Sequence, residues 1–246
     1  MDRESKNQAG AVGFWSGGTS KQRDFAHWRG VGRWNEKAWL SVGKGNLQAF
    51  WNFRHKHDNG GCLQRMLEWG PGGGCNVSAF GSQFANIHGV DLSSGTLETC
   101  HFEAAKRRAT DLDVPFHFIG QHIDPNNPEA VAGQGPFDFM LCTAVVQHMP
   151  SHAWVGRFLK VTSGEMRKGG QAMVEFKTTS LVADWRLKNS SEGEGEYATN
   201  VARWCLFHPA KFVALCEASG WRVLEDPCKP VSSVLTYGLM IYLEKK

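Results

Sequence analysis

At 246 residues, with 41% hydrophobic and 21% charged side chains, the chain is long enough for one sizeable domain, or one domain with a cap, and has the composition of a globular protein. No apolar run approaches the length that spans a bilayer, and the first eight residues hold no apolar leader segment, so the expected location is the cytoplasm, with no membrane partner. Seven cysteines, odd in number and without a C-x-x-C pair, argue against a zinc ribbon or a disulfide framework and are expected to be reduced thiols. The net charge of +3 is unevenly spread. Residues 1–56 hold ten Lys/Arg and four Asp/Glu, a balance of +6, which leaves 17 against 20, or −3, for the remainder. A basic amino-terminal region suits an anionic or nucleic-acid substrate, and equally a solvated face without a partner.

Residues 1–20 are rich in glycine and small polar side chains, so only Phe14-Trp15 suggests order there. From Phe25 to Phe53 the chain becomes aromatic, with Trp28, Trp34, Trp39, Phe50 and Trp51, and two short helices joined through Gly43 and Gly45 are expected. Met66-Leu67-Glu68-Trp69 is an apolar run that ends in the glycine cluster Gly70-Pro71-Gly72-Gly73-Gly74, followed by a helix over 76–84. Strand and helix then alternate. Asn86 to Asp91 reads as a second strand, Gly95 to Ala109 as a helix capped by Ser93-Ser94, and Val114 to Ile119 as a third strand. Phe137 to Cys142 is a fourth strand, Ser151 to Arg167 a helix stopped by Lys168-Gly169-Gly170, and Gln171 to Phe176 a fifth strand. A polar excursion at about 178–206 has the length of a lid. The helix Pro209–Ser219, bounded by His208 and Gly220, and strands at 221–225 and 237–243 complete the chain. This order predicts a doubly wound α/β sheet, with a ligand bound where the first strand breaks into glycine.

The spacing narrows the ligand. A dinucleotide fingerprint from Gly70 needs glycine at position 75, which is Cys75. The glycines at 70, 72 and 74, preceded by Glu68, resemble instead the first motif of the class I S-adenosylmethionine-dependent methyltransferases. Asp91, nineteen residues beyond Gly72, stands where an acid accepts hydrogen bonds from ribose hydroxyls, although dinucleotide enzymes place an acid similarly. Phe137-Asp138 and the loop to His148 resemble the fourth motif of the same family. The resemblance covers about 63–246. It implies a seven-stranded, mostly parallel sheet with an antiparallel terminal strand and helices on both faces. It also implies an amino-terminal cap over 1–60 and a cofactor-binding domain over 61–246.

By that resemblance Glu68, Gly70, Gly72, Gly74, Asp91, Leu92, Gln121, His122, Cys142 and Thr143 surround S-adenosylmethionine. Gln121 replaces the acid usual at its place, so an amide there is expected to meet the adenine edge. His148 is the first candidate for a base and Glu175 the second. Trp28, Trp34, Trp39 and His208 are expected to line the acceptor site, while the aromatic residues before the first strand equally suit closure of one edge of the core. No complete set of metal ligands is found, since Pro150 interrupts His148 and His152 and the pair His55 and His57 lacks company. The expected reaction is methyl transfer to an oxygen or nitrogen of a small molecule. The alternative is an RNA or DNA methyltransferase using the basic region, against which the fourth-strand loop Cys142-Thr143-Ala144-Val145 lacks an Asn/Asp-Pro-Pro-aromatic motif.

Overall fold

The computed structural model describes residues 3–15, 18–57, 63–110, 116–178, 205–225 and 238–246. The expected lid, most of the polar excursion with Tyr197 and Trp204, the start of the third strand at Val114-Pro115, the boundary at residue 60, Cys62 and Cys228 lie outside these residues. The elements in order are α1 (Arg3–Trp15), α2 (Ser20–Phe25), α3 (Glu36–His57), β1 (Arg65–Trp69), α4 (Cys75–Phe80), β2 (Asn86–Asp91), α5 (Ser94–Thr110), β3 (His117–His122) and β4 (Phe137–Cys142). There follow α6 (His152–Glu165), β5 (Met166–Thr178), β6 (Leu206–Phe207), α7 (Pro209–Ala218), β7 (Trp221–Glu225) and β8 (Leu239–Lys245). This is an α/β architecture with a mixed sheet, mostly parallel and antiparallel at its carboxyl-terminal strands.

The chain divides into two compact units. The unit of residues 12–124 and 136–141 is built on the strand order β3-β2-β1-β4, all parallel, with β1 at the centre. Strands β1, β2 and β4 are buried almost throughout, as expected of parallel strands covered on both faces, whereas β3, at the end of the strand order, is largely exposed or half-buried. The register Glu68↔Gly89 and Asp91↔His122 brings the carboxyl ends of β1, β2 and β3 level. The unit of residues 1–11, 125–135 and 142–246 is built on β5-β8-β7, in which β8 runs antiparallel to both neighbours, while the two-residue β6 pairs with β5 at Lys177 and Thr178.

The amino-terminal region differs from the sequence-based expectation. Residues 3–15 form helix α1, and α3 is one helix of 22 residues that runs straight through Gly43 and Gly45. Gly43 serves packing: a Cβ there would stand 2.2 Å from the Cys75 carbonyl oxygen and 3.0 Å from the Ala79 Cβ, so its absence lets α3 lie directly on α4. Phe50 of α3 then reaches the interior. Its ring centroid is 5.5 Å from Phe80, 5.8 Å from Phe84 and 4.6 Å from Phe139, which makes α3 part of the core. Helix α4 ends at Phe80, earlier than expected, and Gly81 follows under the ring of Phe116, 2.3 Å from where its Cβ would be. Helix α6 stops at Glu165, whose carboxylate accepts the N–H groups of Gly133 and Gly135 at 2.9 and 2.6 Å.

Gly43→Ala separates packing from propensity. Alanine is the better helix former by about 1 kcal/mol. Overpacking against Cys75 is nevertheless expected to lower the unfolding free energy by about 1–3 kcal/mol in urea titration. A variant more stable than the wild type contradicts the contact.

Candidate active site

Between β1 and α4 the chain turns on Gly70, Gly72 and Gly74, with φ of +71°, +54° and +81°. Side chains rarely adopt this left-handed region, so the turn requires glycine at all three positions. The Gly70 N–H donates to the Val90 carbonyl at 2.8 Å, the Gly74 N–H to Pro71 at 3.0 Å, and the Gly73 N–H to Ala26 at 2.5 Å. The last bond brings the segment after α2 onto the turn. A Cβ on Gly72 would be 2.6 Å from the Ala26 oxygen, and one on Gly73 would be 2.2 Å from the His27 oxygen and 2.7 Å from the Trp28 Cα.

Two carboxylates stand beside this turn. Glu68 is buried; its Oε1 accepts from the Asn76 amide at 2.8 Å, and Asn76 in turn accepts from Asn46 of α3 at 2.9 Å. Its Oε2 is buried with no partner among the described residues. Burial raises the Glu68 carboxyl to about 7, opposed by the Asn76 hydrogen bond and reinforced by the charge of Asp91. Asp91, half-buried at the end of β2, is likewise pushed up to about 7 by burial, against the backbone N–H groups of Ser93, Leu92 and Gly72 that bond to its carboxylate. The Ser93 bond measures 2.8 Å, and the Ser93 hydroxyl accepts from Thr96 N–H at the start of α5. Cys100 donates its thiol proton to the Gly72 oxygen at 3.3 Å, and burial first, then the neighbouring carboxylates, hold that thiol well above its usual range.

The other expected site residues separate into groups. Leu92 and His122 come together, the His122 Nε2 lying 3.1 Å from the Leu92 oxygen. Gln121 pairs across from Val90, which puts it on the sheet face of His88, and its Oε1 is 2.8 Å from His88 Nε2. Trp34 donates its indole N–H to the Asp24 backbone oxygen and its ring meets that of His27 at a tilt of 42°, with centroids 4.1 Å apart. Trp39 is buried in α3, and Arg29 lies over its ring. Cys142 and Thr143, at the end of β4, lead into a loop with Ala144 at φ +59° and a 3-10 turn at Val146–His148. The Ala144 N–H donates to Glu175 Oε2 at 2.9 Å, and the other oxygen of Glu175 pairs with Lys177 at 2.8 Å. Glu175 is therefore engaged through both oxygens. His148 Nε2 is 3.3 Å from the Gln147 amide nitrogen. His208 is exposed and caps α7, its Nδ1 accepting the Ala210 N–H at 3.3 Å.

A sequence-family model described as a methyltransferase domain matches residues 38–226, more than three quarters of the chain. The chain belongs to the methyltransferase-domain family. No curated protein sequence matches it. Among solved structures, a magnesium protoporphyrin IX methyltransferase from Synechocystis with bound S-adenosylmethionine is similar at 12% identity and TM-score 0.64, covering 100% of this chain and 98% of the other. An S-adenosylmethionine-dependent methyltransferase from Clostridium acetobutylicum is similar at 12% identity and TM-score 0.61, covering 86% and 92%. The N-methyltransferase NodS from Bradyrhizobium japonicum is similar at 9% identity and TM-score 0.54, covering 81% and 96%. The chain is a methyltransferase with the fold of the S-adenosylmethionine-dependent class. Among its described residues no helix is long and apolar enough to cross a membrane.

Sequence reasoning missed several groups of this methyltransferase. Asn76, which holds Glu68, sits one residue past Cys75 with no motif of its own. Lys177 was legible as the i+2 neighbour of Glu175 on one strand face. His27 carries φ +58°, and burial, aided by Arg33 and opposed by Asp24, pushes its imidazole down to about 4, so it is neutral at pH 7.

The raised carboxyls set a pH dependence. Asp91 and Glu68 hold their protons more tightly folded, near 7, than unfolded, near 4. Their contribution to stability is complete below about pH 4 and is lost as pH rises through 7. In urea unfolding between pH 5 and 8, Asp91→Asn is expected to flatten the fall seen in the wild type; parallel curves contradict the shift.

Proposed function

We propose that this methyltransferase transfers a methyl group from S-adenosylmethionine to an oxygen or nitrogen of a small-molecule acceptor, with the donor seated on the glycine turn. The observation that carries the reading is the junction of Asp91, Glu68 and the Gly72 backbone. A carboxylate fixed by three N–H groups suits a pair of ribose hydroxyls, and the partnerless Glu68 Oε2 suits a donor group of the ligand. The left-handed glycines turn the main chain sharply beside both carboxylates. When bound, S-adenosylmethionine supplies a methyl group already activated on a sulfonium.

The protein's part is then alignment, worth up to about 7–11 kcal/mol at its best, and proton removal from the acceptor. Asp91, Glu68 and the glycines hold the donor, and Leu92 with His122 lies beside its base. With Gln121 turned to His88, the edge of that base falls to His122 and main-chain groups. By the family resemblance Cys142 and Thr143, at the end of β4, are assigned to the amino-acid end of the donor. His148, oriented by Gln147, takes the proton from an O–H or N–H acceptor. Glu175, bound to Lys177 and Ala144, anchors the loop that carries His148 and does not itself act as the base. Of the expected cap, the segment Thr19–Trp34 covers the donor's seat, its Ala26 and His27 carbonyls lying against the glycine turn.

A small-molecule acceptor is supported by the neighbours named for porphyrin and N-methylation and by the loop Cys142-Thr143-Ala144-Val145. Donor labelled in its methyl group, offered with a metabolite extract and separately with RNA and DNA, tests it. Label is expected in the small-molecule fraction, with His148→Gln slowing transfer by about 10²–10⁴-fold while S-adenosylhomocysteine affinity stays unchanged. Label found solely on nuclease-sensitive material contradicts it.

A further inference from the structure

The segment Thr19–Trp34 is more than a covering. It belongs to the unit that holds the glycine turn, is joined to the rest of it through Ala26, His27 and Arg29, and is held in shape by hydrogen bonds of its own. Arg29 pairs with Glu103 of α5 at 2.8 Å and with Glu36 at 3.2 Å, and its guanidinium lies 5.2 Å over the Trp39 ring. The Trp28 N–H donates to the Arg23 oxygen at 2.9 Å, the Gly30 N–H to Trp34 at 2.7 Å, and the Arg33 N–H to the Asp24 carboxylate at 3.1 Å. His27 takes the left-handed conformation at the point where the Ala26 and His27 carbonyls meet Gly72 and Gly73. A non-glycine residue held there is strained, and such strain persists only when its surroundings enforce it.

The residue this arrangement delivers is Trp28. Its Cα lies 2.7 Å from where a Gly73 Cβ would stand, and the far end of its ring, Cη2, lies 4.0 Å from where a Gly95 Cβ would stand. The indole therefore extends from the glycine turn to the segment just past Asp91, the two places that the donor-site reading assigns to one ligand. One face carries the Arg23 guanidinium, 4.7 Å from the ring. Its Nε1 is buried, and among the described residues none accepts its proton. A buried indole N–H without an acceptor is rare in native proteins, because the lost water hydrogen bond is not replaced. Trp39 Nε1 shares that condition, but Trp39 is a core residue of α3, 1% exposed, beneath the Arg29 guanidinium.

We propose that Trp28 belongs to the methyl donor's site, not the acceptor's, and that its indole N–H donates a hydrogen bond to an oxygen of the bound donor. The inference rests on the donor-site reading given above. It makes the strap a working part of the site: the Arg29–Glu103 pair positions Trp28, and Trp28 contacts the ligand. The acceptor oxygen belongs either to the nucleoside sugar or to the amino-acid carboxylate.

Calorimetric titration of the full chain with S-adenosylhomocysteine tests it. Trp28→Phe keeps the ring and removes the N–H, and is expected to bind about tenfold more weakly than the wild type. The same comparison with 5′-methylthioadenosine, which lacks the amino-acid portion, distinguishes the oxygens. An equal loss with both ligands assigns the sugar, and a loss confined to S-adenosylhomocysteine assigns the carboxylate. As a measurement independent of the variant's folding, the Trp28 indole resonance of the wild type, labelled with ¹⁵N, is expected to shift on saturation with S-adenosylhomocysteine. A Trp28→Phe protein that matches a binding-competent wild type, or a resonance that stays in place, overturns this inference alone. A wild type that binds neither ligand overturns the donor-site reading, and this inference with it.

Discussion

The carboxylate of Asp91 is the constraint around which the amino-terminal half of the sheet is arranged. It is drawn in from water, yet it receives the backbone N–H groups of Ser93, Leu92 and Gly72, so one side chain ties the end of β2 to both the start of α5 and the turn after β1. Those bonds favour its charged form while burial favours its neutral form, and burial prevails. Glu68, one strand away, is under the same tension with Asn76 as its single compensating partner. Both acids are held by burial above the usual carboxylate range, and hydrogen-bond donors brought to either one would favour its charged form.

The glycine turn can play its part only because other backbone comes within touching distance of it. Gly72 and Gly73 accommodate the carbonyls of Ala26 and His27, and Gly43 does the same for α3 on α4. The glycines thus serve two purposes, conformation at 70, 72 and 74 and close approach at 43 and 73. In the second unit the equivalent device is charged. The buried pair of Glu175 and Lys177 holds Ala144 in a left-handed conformation, and Gly238 leaves room for it, since a Cβ there would lie 2.3 Å from Glu175 Oε1. A buried ion pair is costly as a source of stability, which favours a role in setting the loop that leads to His148.

Much of this was legible in the sequence. The strand from Asn86 to Asp91, the Ser93 cap, the glycine turn and the closing helix at Pro209 stand where hydrophobic period and turn chemistry put them, because each is decided by local forces. The continuity of α3 was not legible, since Gly43 and Gly45 look like breaks until α4 is known to lie against them. Gln121 was assigned by its place in a motif, whereas strand parity sends it to the face of His88; the alternation of β3 carried that information. The role of Trp28 depends on a non-local contact with Gly73 and on the left-handed turn at His27, a conformation uncommon for any residue but glycine and fixed here by the packing around it.

Each of these features follows from one claim, that the turn at Gly70–Gly74 together with Asp91 forms the seat of the methyl donor. A crystal structure of the chain grown with S-adenosylhomocysteine measures this directly. The account predicts both ribose hydroxyls within hydrogen-bond distance of the Asp91 carboxylate, above the Gly72 backbone. Electron density for the ligand at another place, with the Asp91 carboxylate still bonded only to main-chain N–H groups, would contradict it.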